Sequence, residues 1–260
     1  MIKEIIKFLK TRELILTWTN RILKARYQQS VLGGLWMVIQ PVASVLVLTI
    51  VFTFFIPVDT GKTPYLVFSY AALVPWYLLT GALNDMAGSM VENMQLITKI
   101  YFPREILPFS AMLARLVDFL VAYGILFGLI LYYKIQIVPI AWLFLPLILS
   151  VQIILMFGLG LALSAMNVFF RDVKPLLGLV IQIWFYASPI IYPLSMIPER
   201  FRSFYFLNPM AGILESYRAV LIHGTLPGPY LLFSAAIAVL VFVAGYWFFK
   251  RVEFQFADII

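Results

Sequence analysis

The chain has 260 residues, of which 63% are hydrophobic and only 12% are charged, and its net charge is +7. A water-soluble domain of this size has too little interior to hide so much apolar surface, so the composition excludes a soluble globular protein. The absence of cysteine excludes disulfides, thiolate catalysis and cysteine-ligated metals, and the single histidine, His223, excludes paired-histidine zinc sites. The solvent of this protein is therefore the membrane.

Six apolar runs are each long enough to cross the ~30 Å hydrocarbon core of a bilayer, which takes about 20 helical residues. The predicted spans are residues 32–56, 65–82, 106–132, 139–165, 175–192 and 230–249. Backbone groups in lipid must be satisfied internally, and continuous apolar runs favour helices over the alternating strands of a barrel. We predict an all-α integral membrane protein with six transmembrane helices in a single domain, 1–260.

Residues 1–31 precede the first span and begin with apolar side chains at Ile2, Ile5, Ile6 and Leu9, separated by lysines. This spacing predicts an amphipathic helix lying in the cytoplasmic interface, followed by a second helical stretch over 14–27. Such helices serve either as a membrane-surface anchor or as a docking surface, and the amphipathic pattern supports both.

Basic residues concentrate on one side of the predicted topology. That side carries Lys3, Lys7, Lys10, Arg12, Arg21, Lys24, Arg26, Lys99, Arg104, Arg171, Lys174, Lys250 and Arg251, and the other side carries Lys62, Lys134, Arg200, Arg202 and Arg218. The positive-inside rule therefore predicts that both termini are cytoplasmic. Because these charges lie where anionic headgroups are found, we expect membrane lipids and not nucleic acid as their partner.

A polar stretch, 89–104, follows the second span and is too polar to cross a membrane. Its apolar residues recur at the spacing of one helical face: Val91, Met94, Ile97 and Tyr101. This pattern predicts a short cytoplasmic helix that ends near Pro103. A connection that carries its own helix is more often functional than a plain linker.

The third predicted span contains two charged residues, Arg115 and Asp118. Charges inside a span are costly unless they pair or face a polar interior. Residues three apart share one helix face, so an intramembrane ion pair between them is favoured. A direct role in transport or gating is the alternative.

The segment between the fifth and sixth spans, 193–228, is moderately apolar and rich in proline. Neither half is long or apolar enough to cross the bilayer, which predicts two short helices in an external re-entrant hairpin. Irregular backbone at membrane depth is tolerated only where it is buried in protein or lines a cavity, so the hairpin is a candidate site.

Aromatic residues cluster at the end of the fifth span and in this hairpin. They are Trp184, Phe185, Tyr186, Tyr192, Phe201, Phe204, Tyr205 and Phe206. An interfacial aromatic belt is the favoured interpretation. The alternative is a path for sugar rings, whose apolar CH faces stack on aromatic side chains.

The motifs that several other chemistries require are missing from this sequence. There is no paired-histidine motif, glycine-rich dinucleotide loop or nucleophile elbow, so neither a metal site nor a catalytic site is predicted. A repeated polar pore lining, typical of ion channels, is also not visible.

The order of four motifs resembles that of the ABC-2 type permeases. The stretch RYQQSVLGGLW at 26–36, followed by Pro41, is similar to the start of the first span in this family. FFRDV at 169–173 resembles its loop between spans four and five, and SPIIYP at 188–193 with LNPM at 207–210 resemble its fifth-span exit and hairpin. The resemblance covers essentially the whole chain and is strongest to the branch that exports lipid-linked polysaccharides such as O-antigen.

The resemblance implies a permease subunit in the cytoplasmic (inner) membrane that works as a homodimer with two copies of a separate ATPase subunit. It further implies that ATP and Mg are bound by that ATPase, that this chain is not an enzyme and holds no cofactor, and that the substrate is a polyprenyl-pyrophosphate-linked glycan. In this family the segment 89–104 is a coupling helix that docks on the ATPase. The coupling residues would be Gln95, Lys99, Tyr101, Phe102, Pro103 and Arg104.

The resemblance also implies a substrate path along the chain. It begins at basic residues and a glycine turn on the cytoplasmic side and ends at external aromatics: Arg21, Lys24, Arg26, Leu32, Gly33, Gly34, Trp184, Tyr186, Tyr192, Phe204 and Tyr205. Any phosphate-bearing lipid headgroup would attract the same basic residues.

Other functions stay open at this point. A permease of the same family for capsule, teichoic acid, a drug or a small lipid is one, and a membrane scaffold subunit without transport is another. The LGGLW motif at 32–36 favours polysaccharide over drugs. The coupling-type segment argues against a scaffold.

Overall fold

The structure is a computed structural model that describes residues 11–28, 32–99 and 102–256. Within these ranges the chain forms helices joined by short turns and has no strand, which confirms the all-helical prediction. The helices are α1 (Arg12–Tyr27), α2 (Trp36–Ile50), α3 (Tyr65–Glu92), α4 (Met94–Lys99), α5 (Ile106–Tyr132), α6 (Pro139–Trp142), α7 (Leu145–Phe169), α8 (Val173–Tyr186), α9 (Glu199–Tyr205), α10 (Pro209–Arg218) and α11 (Tyr230–Val252). The amphipathic helix predicted at Ile2–Leu9 and the coupling residue Tyr101 lie outside the described residues.

Five stretches of helix are long and apolar enough to cross a membrane, counted over the described ranges. They are Gly33–Phe55, Tyr65–Glu92, Ile106–Tyr132, Pro139–Phe169 and Tyr230–Gln255. The first of them joins a short 3₁₀ turn, α2 and a π turn into one continuous rod. These stretches coincide with five of the six predicted spans and show a multi-pass membrane protein.

The predicted fifth span, 175–192, is shorter in the structure than in the sequence pattern. Helix α8 ends at Tyr186 and has 14 residues, which is about 21 Å and less than the ~30 Å hydrocarbon core. The helix stops because Pro189 disfavours the helical conformation for the residue before it. The carbonyl of Ala187 instead accepts a hydrogen bond from the side chain of Asn208 at 3.1 Å.

Helix α3 is the central helix of the molecule. Twenty of its 28 residues are buried, and it contacts α2, α5, α7, α8 and α10. In contrast, α2 buries only Pro41 and Val45, and α8 buries only Val173 and Leu177. Several apolar side chains of α2 and α8, such as Val47 and Leu179, are therefore exposed on the single chain, while others pack partly against the core.

Helix α3 also runs ten residues past the predicted end of its span at Ala82, to Glu92. No proline interrupts the stretch after Ala82, so the helix continues and reaches about 42 Å, longer than the hydrocarbon is thick. The predicted helix 89–104 is thus divided. Its first turn belongs to α3, Asn93 ends that helix with its side chain bonded to the Ser89 carbonyl at 2.8 Å, and only Met94–Lys99 forms a separate helix.

Helices α7 and α11 approach each other closely because glycines face the contact. A Cβ atom built on Gly158 would lie 2.5 Å from the Cα of Phe242, and one on Gly245 would overlap the Gly158 carbonyl oxygen. In membranes, where burial in another helix gains little over burial in lipid, such close backbone contact is a main source of helix association.

The bundle has two distinct ends. We call the end that carries α1, α4 and the last turn of α11 the α1 end; there Lys250 lies 2.9 Å from Glu105, and Lys174 lies 3.1 Å from Glu92. The opposite end, with α9, α10 and the loops 56–64 and 133–138, is the hairpin end.

Replacing Gly245 with alanine tests the α7–α11 contact. We expect Gly245→Ala to lower the stability of the folded protein by about 1–3 kcal/mol because the added methyl group overpacks the interface. Helix propensity alone favours alanine by about 1 kcal/mol, which is the opposite sign. The matched control is Gly128→Ala, where a Cβ meets nothing within 4 Å. Thermal unfolding in detergent measures both variants, and equal melting temperatures would contradict the contact.

Candidate functional site

Four charged side chains from three helices meet near the α1 end. The last turn of α1 supplies Arg26, α3 supplies Asp85, and α5 supplies Arg115 and Asp118. We call these four residues the charged quartet. Its members are one-fifth to one-quarter exposed except Asp118, at 15%.

Each arginine of the quartet touches both aspartates. Arg26 donates from Nη2 to Asp85 at 2.5 Å and from Nη1 to Asp118 at 2.7 Å. Arg115 donates from Nε and Nη2 to the two oxygens of Asp85, at 2.6 and 3.0 Å, and more weakly to Asp118 at 3.4 Å. The predicted pair of Arg115 with Asp118 is therefore present. At 3.4 Å, however, it is the longest of the five arginine–aspartate hydrogen bonds in the quartet.

Two neighbours complete the quartet. The Tyr27 hydroxyl donates to the remaining oxygen of Asp118 at 2.9 Å, and burial raises the pKa of Tyr27 above its ordinary value, so this hydroxyl stays protonated. Gly81 makes room for the guanidinium, since a Cβ there would lie 3.0 Å from the Cδ and Nε of Arg115. Together with the arginine contacts, the Tyr27 bond leaves each of the four carboxylate oxygens of Asp85 and Asp118 with a hydrogen-bond donor.

Arg26 stands between two cavities. One, of about 480 Å³, is lined by Arg26, Trp36, Gln40, Tyr77 and Arg115 among others. The other, of about 390 Å³, lies toward the α1 end and shares Arg26 as a wall. Both contain polar and apolar side chains.

The other predicted basic residues of α1 lie on its outer surface. Arg21 and Lys24 line an open groove of about 550 Å³ together with polar residues of the same helix. The Arg21 guanidinium lies over the Trp18 ring at 4.5 Å from its centroid. Neither has a salt bridge with a described residue, so both charges are available to a ligand.

The predicted glycine turn begins the first membrane rod. Leu32 and Gly34 are exposed, and Gly33 has φ of +50°, a left-handed conformation that favours glycine. The turn lies against the end of α1, because a Cβ on Gly33 would be 3.7 Å from the Tyr27 carbonyl oxygen. The left-handed backbone conformation at position 33 therefore favours glycine over other residues there.

The predicted coupling residues separate into an exposed and a packed group. Gln95 and Lys99 are exposed on α4, while Ile97 of the same helix is buried against the cluster that contains Trp18. Phe102 is half-buried and lines a small apolar pocket of about 80 Å³ with Leu14 and other side chains of α1, α4 and α5.

Pro103 and Arg104 lead into α5 beside the end of α11. Arg104 lies over the ring of Phe256 at 5.8 Å. The adjacent Glu105 is buried and paired with Lys250 at 2.9 Å. The coupling segment is thereby attached to the last membrane helix as well as to α3.

Asn208 organises the hairpin end. Its Oδ1 accepts hydrogen bonds from Trp184 Nε1 at 2.7 Å and from the Met210 backbone N–H at 3.0 Å, while its Nδ2 donates to Ser188 Oγ at 2.9 Å and to the Ala187 carbonyl. The same amide caps α10 and holds the end of α8. An asparagine followed by proline is a recognisable helix start, with asparagine as the cap and proline at the first helical position.

The predicted aromatics at this end divide by exposure. Tyr205 donates to the Tyr192 hydroxyl at 3.2 Å, and Tyr192 donates to the Tyr186 carbonyl at 2.9 Å. Burial raises the pKa of Tyr205 well above its ordinary value, so the Tyr205 hydroxyl stays protonated and can donate. The ring of Tyr186 and that of Phe204 are 62% and 73% exposed.

Arg218 is the most deeply buried charge, at 1% exposure. It pairs with Glu215 at 2.9 Å, donates to the Ile190 carbonyl at 2.9 Å and the Phe68 carbonyl at 3.3 Å, and lies 3.6 Å from the centroid of the Phe68 ring. One guanidinium thus ties α10, the segment after α8 and α3 together. Tyr65 adds a hydrogen bond to the Ile191 carbonyl at 2.8 Å.

Sequence reasoning missed Asp85, Asn208 and the buried role of Arg218. Asp85 lies beyond the predicted end of the second span at Ala82, and its partners Arg115 and Arg26 are 30 and 59 positions away. For Asn208 the asparagine–proline signal was available. The pairing of Arg218 with Glu215 is local, but its burial is not marked in the sequence, since its other partners Phe68 and Ile190 are 150 and 28 positions away.

Comparison with known proteins gives consistent similarities. The sequence model of the ABC-2 type transporter family matches residues 13–222. The O-antigen export system permease protein RfbA of Myxococcus xanthus is 31% identical over 262 residues, 99% of each chain, and RfbA of Klebsiella pneumoniae is 30% identical over 249 residues, 95% of each chain. The polysialic acid transport protein KpsM of Escherichia coli is 27% identical over 209 residues, 78% of this chain and 79% of its own.

Replacing Arg218 tests its structural role. We expect Arg218→Met to destabilise the fold by about 3–5 kcal/mol, because Glu215 and two backbone carbonyls lose their partner inside the protein. Arg200→Met, an exposed arginine of the same segment, serves as the control and should unfold like the wild type. Thermal unfolding and yield in detergent report the difference. If both variants melt together, Arg218 does not hold these elements.

Proposed function

The chain belongs to the ABC-2 type transporter family, and on this premise we propose that it is the permease subunit of an exporter of lipid-linked polysaccharide. The observation that carries the proposal is the similarity to O-antigen export permeases over at least 95% of both chains. A separate ATPase subunit, present in two copies and binding ATP and Mg, drives the transport. This chain supplies the membrane path and no catalytic site.

We assign the α1 end to the cytoplasm, with both termini there, in the inner membrane. The distribution of basic residues between the two ends of the bundle supports this orientation. The α1 end carries Arg12, Arg21, Lys24, Arg26, Lys99, Arg104, Arg171, Lys174, Lys250 and Arg251, and the hairpin end carries Lys62, Lys134, Arg200, Arg202 and Arg218. An excess of basic residues marks the cytoplasmic side of membrane proteins.

The functional unit in this proposal is a homodimer. The sparse burial of α2 and α8 supports it, because each of these helices buries only two residues and exposes apolar side chains such as Val47 and Leu179 on the single chain. A path formed between two copies places α2 and α8 of each copy along its sides. The short α8 then ends part of the way across the bilayer, where the segment 187–192 and a re-entrant hairpin complete the wall.

The substrate enters beside α1 and the turn at Leu32–Gly34. Arg21 and Lys24 are the proposed contacts of the lipid pyrophosphate, because their charges are exposed in one groove. Two adjacent cations attract a pyrophosphate more strongly than a single-charge headgroup. Arg26 is not retained in this role, since its guanidinium already bonds two carboxylates.

The exit lies at the hairpin end. Tyr186 and Phe204 are exposed and free to stack on sugar rings, whereas Trp184, Tyr192 and Tyr205 are bonded to other protein groups and shape the exit. Closure of the ATPase pair pushes the two α4 segments together. This motion opens the path between the copies and threads the polymer outward.

Gentle extraction from the native membrane followed by mass spectrometry tests the proposal. We expect a P-loop ATPase in equal amount and a polyprenyl-pyrophosphate glycan bound to the complex. An ATPase with no glycolipid would redirect the assignment to a drug or small lipid. Extraction without any ATPase would overturn the transporter mechanism.

Lys99→Glu tests the docking of α4 on the ATPase. Lys99 is exposed at the end of the helix, so we expect normal folding but at least about tenfold weaker association with the ATPase, because rim charges govern the encounter and like charges repel. Lys62→Glu at the hairpin end is the control with the same charge change. Co-purification with the ATPase and stimulated ATP hydrolysis are the measurements. Undiminished association of the Lys99 variant would place the docking surface elsewhere.

Phe204→Ala tests the aromatic exit. The ring is exposed and its loss removes no hydrogen bond within the described residues, so the complex should assemble normally while export of long glycan falls several-fold, roughly the loss of one stacking contact. Phe233→Ala, an exposed ring on α11, is the control for a lipid-facing belt. Surface glycan, measured per assembled complex, decides between them. Equal export in both variants would leave the belt as the role of Phe204.

A further inference from the structure

We infer that Asp85 and Asp118 are positioning residues for export, which hold Arg26 and thereby set the place of α1 and the glycine turn. The inference rests on the proposed function. It assigns to the charged quartet a mechanical role and removes it from substrate binding. Three observations carry it: the charge balance within the quartet, the way α1 is attached, and the position of Asp85 on the helix that leads to α4.

The quartet is neutral without an anion, and both of its arginines are already paired with aspartates. Its two positive and two negative charges balance, and Arg26 has both terminal nitrogens bonded, at 2.5 and 2.7 Å. A phosphate that took Arg26 would leave Asp85 and Asp118 with fewer partners in a site that is at most one-quarter exposed on the carboxylate side. Separating a partly buried ion pair is strongly unfavourable, so the bonds serve to hold the arginine.

The attachment of α1 changes along its length. Its first part is held by apolar packing at Ile15 and Trp18, and by a 3.4 Å hydrogen bond from Ser110 to the Ile15 carbonyl. In its last turn, among the described residues, only Arg26 and Tyr27 are partly buried, and both bond to aspartates of the quartet. The quartet therefore fixes the end of α1 from which the chain continues to the turn at 32–34.

The aspartates belong to helices that the coupling segment moves. Asp85 lies seven residues, or about 10 Å, before the end of α3 at Glu92, where α4 follows. Asp118 lies on α5, which begins directly after the coupling segment. A displacement of α4 is thus transmitted through α3 and α5 to Arg26, and from there to the turn beside the substrate groove.

A double-mutant cycle tests the inference. The variants are Arg26→Gln, Asp118→Asn and the double variant, with export and ATP hydrolysis measured per assembled permease–ATPase complex. The double variant restores charge balance and leaves the two bonds of Arg115 to Asp85. We expect each single variant to lose about tenfold or more of export, as misplacement of a positioned group does, and the double variant to lose no more than either single one. Arg12→Gln, an exposed arginine of the same helix, is the control with wild-type export.

Two outcomes of the cycle would overturn the inference. If Asp118→Asn exports like the wild type while Arg26→Gln is impaired, Arg26 contacts the substrate directly. If all variants export normally per assembled complex and only their yield falls, the quartet stabilises the fold and does not position α1.

A second measurement does not depend on transport. The chain has no cysteine, so Met37→Cys, in the wall of the 480 Å³ cavity next to Arg26, is a unique label site. We expect a membrane-impermeant maleimide to react several-fold faster with this cysteine in the Arg26→Gln/Asp118→Asn background, because loss of the Arg26 wall joins the two cavities. An unchanged rate would contradict the positioning role. A wild type that exports no polysaccharide would instead refute the proposed function, while the labelling rate still reports on the quartet.

Discussion

Hydrocarbon cannot solvate polar groups, and this constraint decides where the charges of the protein lie. Between the ends of the bundle the helices are almost entirely apolar, and the charged groups that enter it do so in compact clusters whose partners come from the protein itself. The quartet around Arg115 is one such cluster, and Arg218 with Glu215 is the other. Apolar contacts alone do not select which helices pack together, because one apolar face packs on another or on lipid equally well. Each charged cluster therefore joins specific helices.

Helix α3 connects the two clusters. It provides the Phe68 carbonyl and ring for Arg218 at the hairpin end and Asp85 for the quartet at the α1 end, and its middle is buried on nearly all sides. It continues as one helix, with Pro75 in its interior, from one cluster to the other and beyond, and so connects the segment proposed for coupling with the hairpin end. The outer helices α2 and α8 bury far fewer residues, which is why we propose them as the surfaces that contact a second copy.

The sequence pattern predicted the helices better than it predicted their ends. The long spans were found because a run of apolar residues is a local property. The end of α8 was misplaced because the predicted span ran past Pro189, and because Asn208, which lies after α9, takes the Ala187 carbonyl. The end of α3 was misplaced for a different reason: the polar Ser89 bonds to the Met86 carbonyl within the helix and does not break it, and the helix ends only at Asn93.

The lengths of the apolar runs and the order of the motifs along the chain are enough to identify the membrane as the solvent of this protein, its helical class and its family. The three-residue spacing of Arg115 and Asp118 also predicts their pairing. That Arg26 and Asp85 complete this pair follows only from the folded bundle, since Arg26 lies 59 positions from Asp85 and 92 from Asp118. A buried charge takes the partner that the packing of helices brings within reach, and that geometry is a property of the whole bundle.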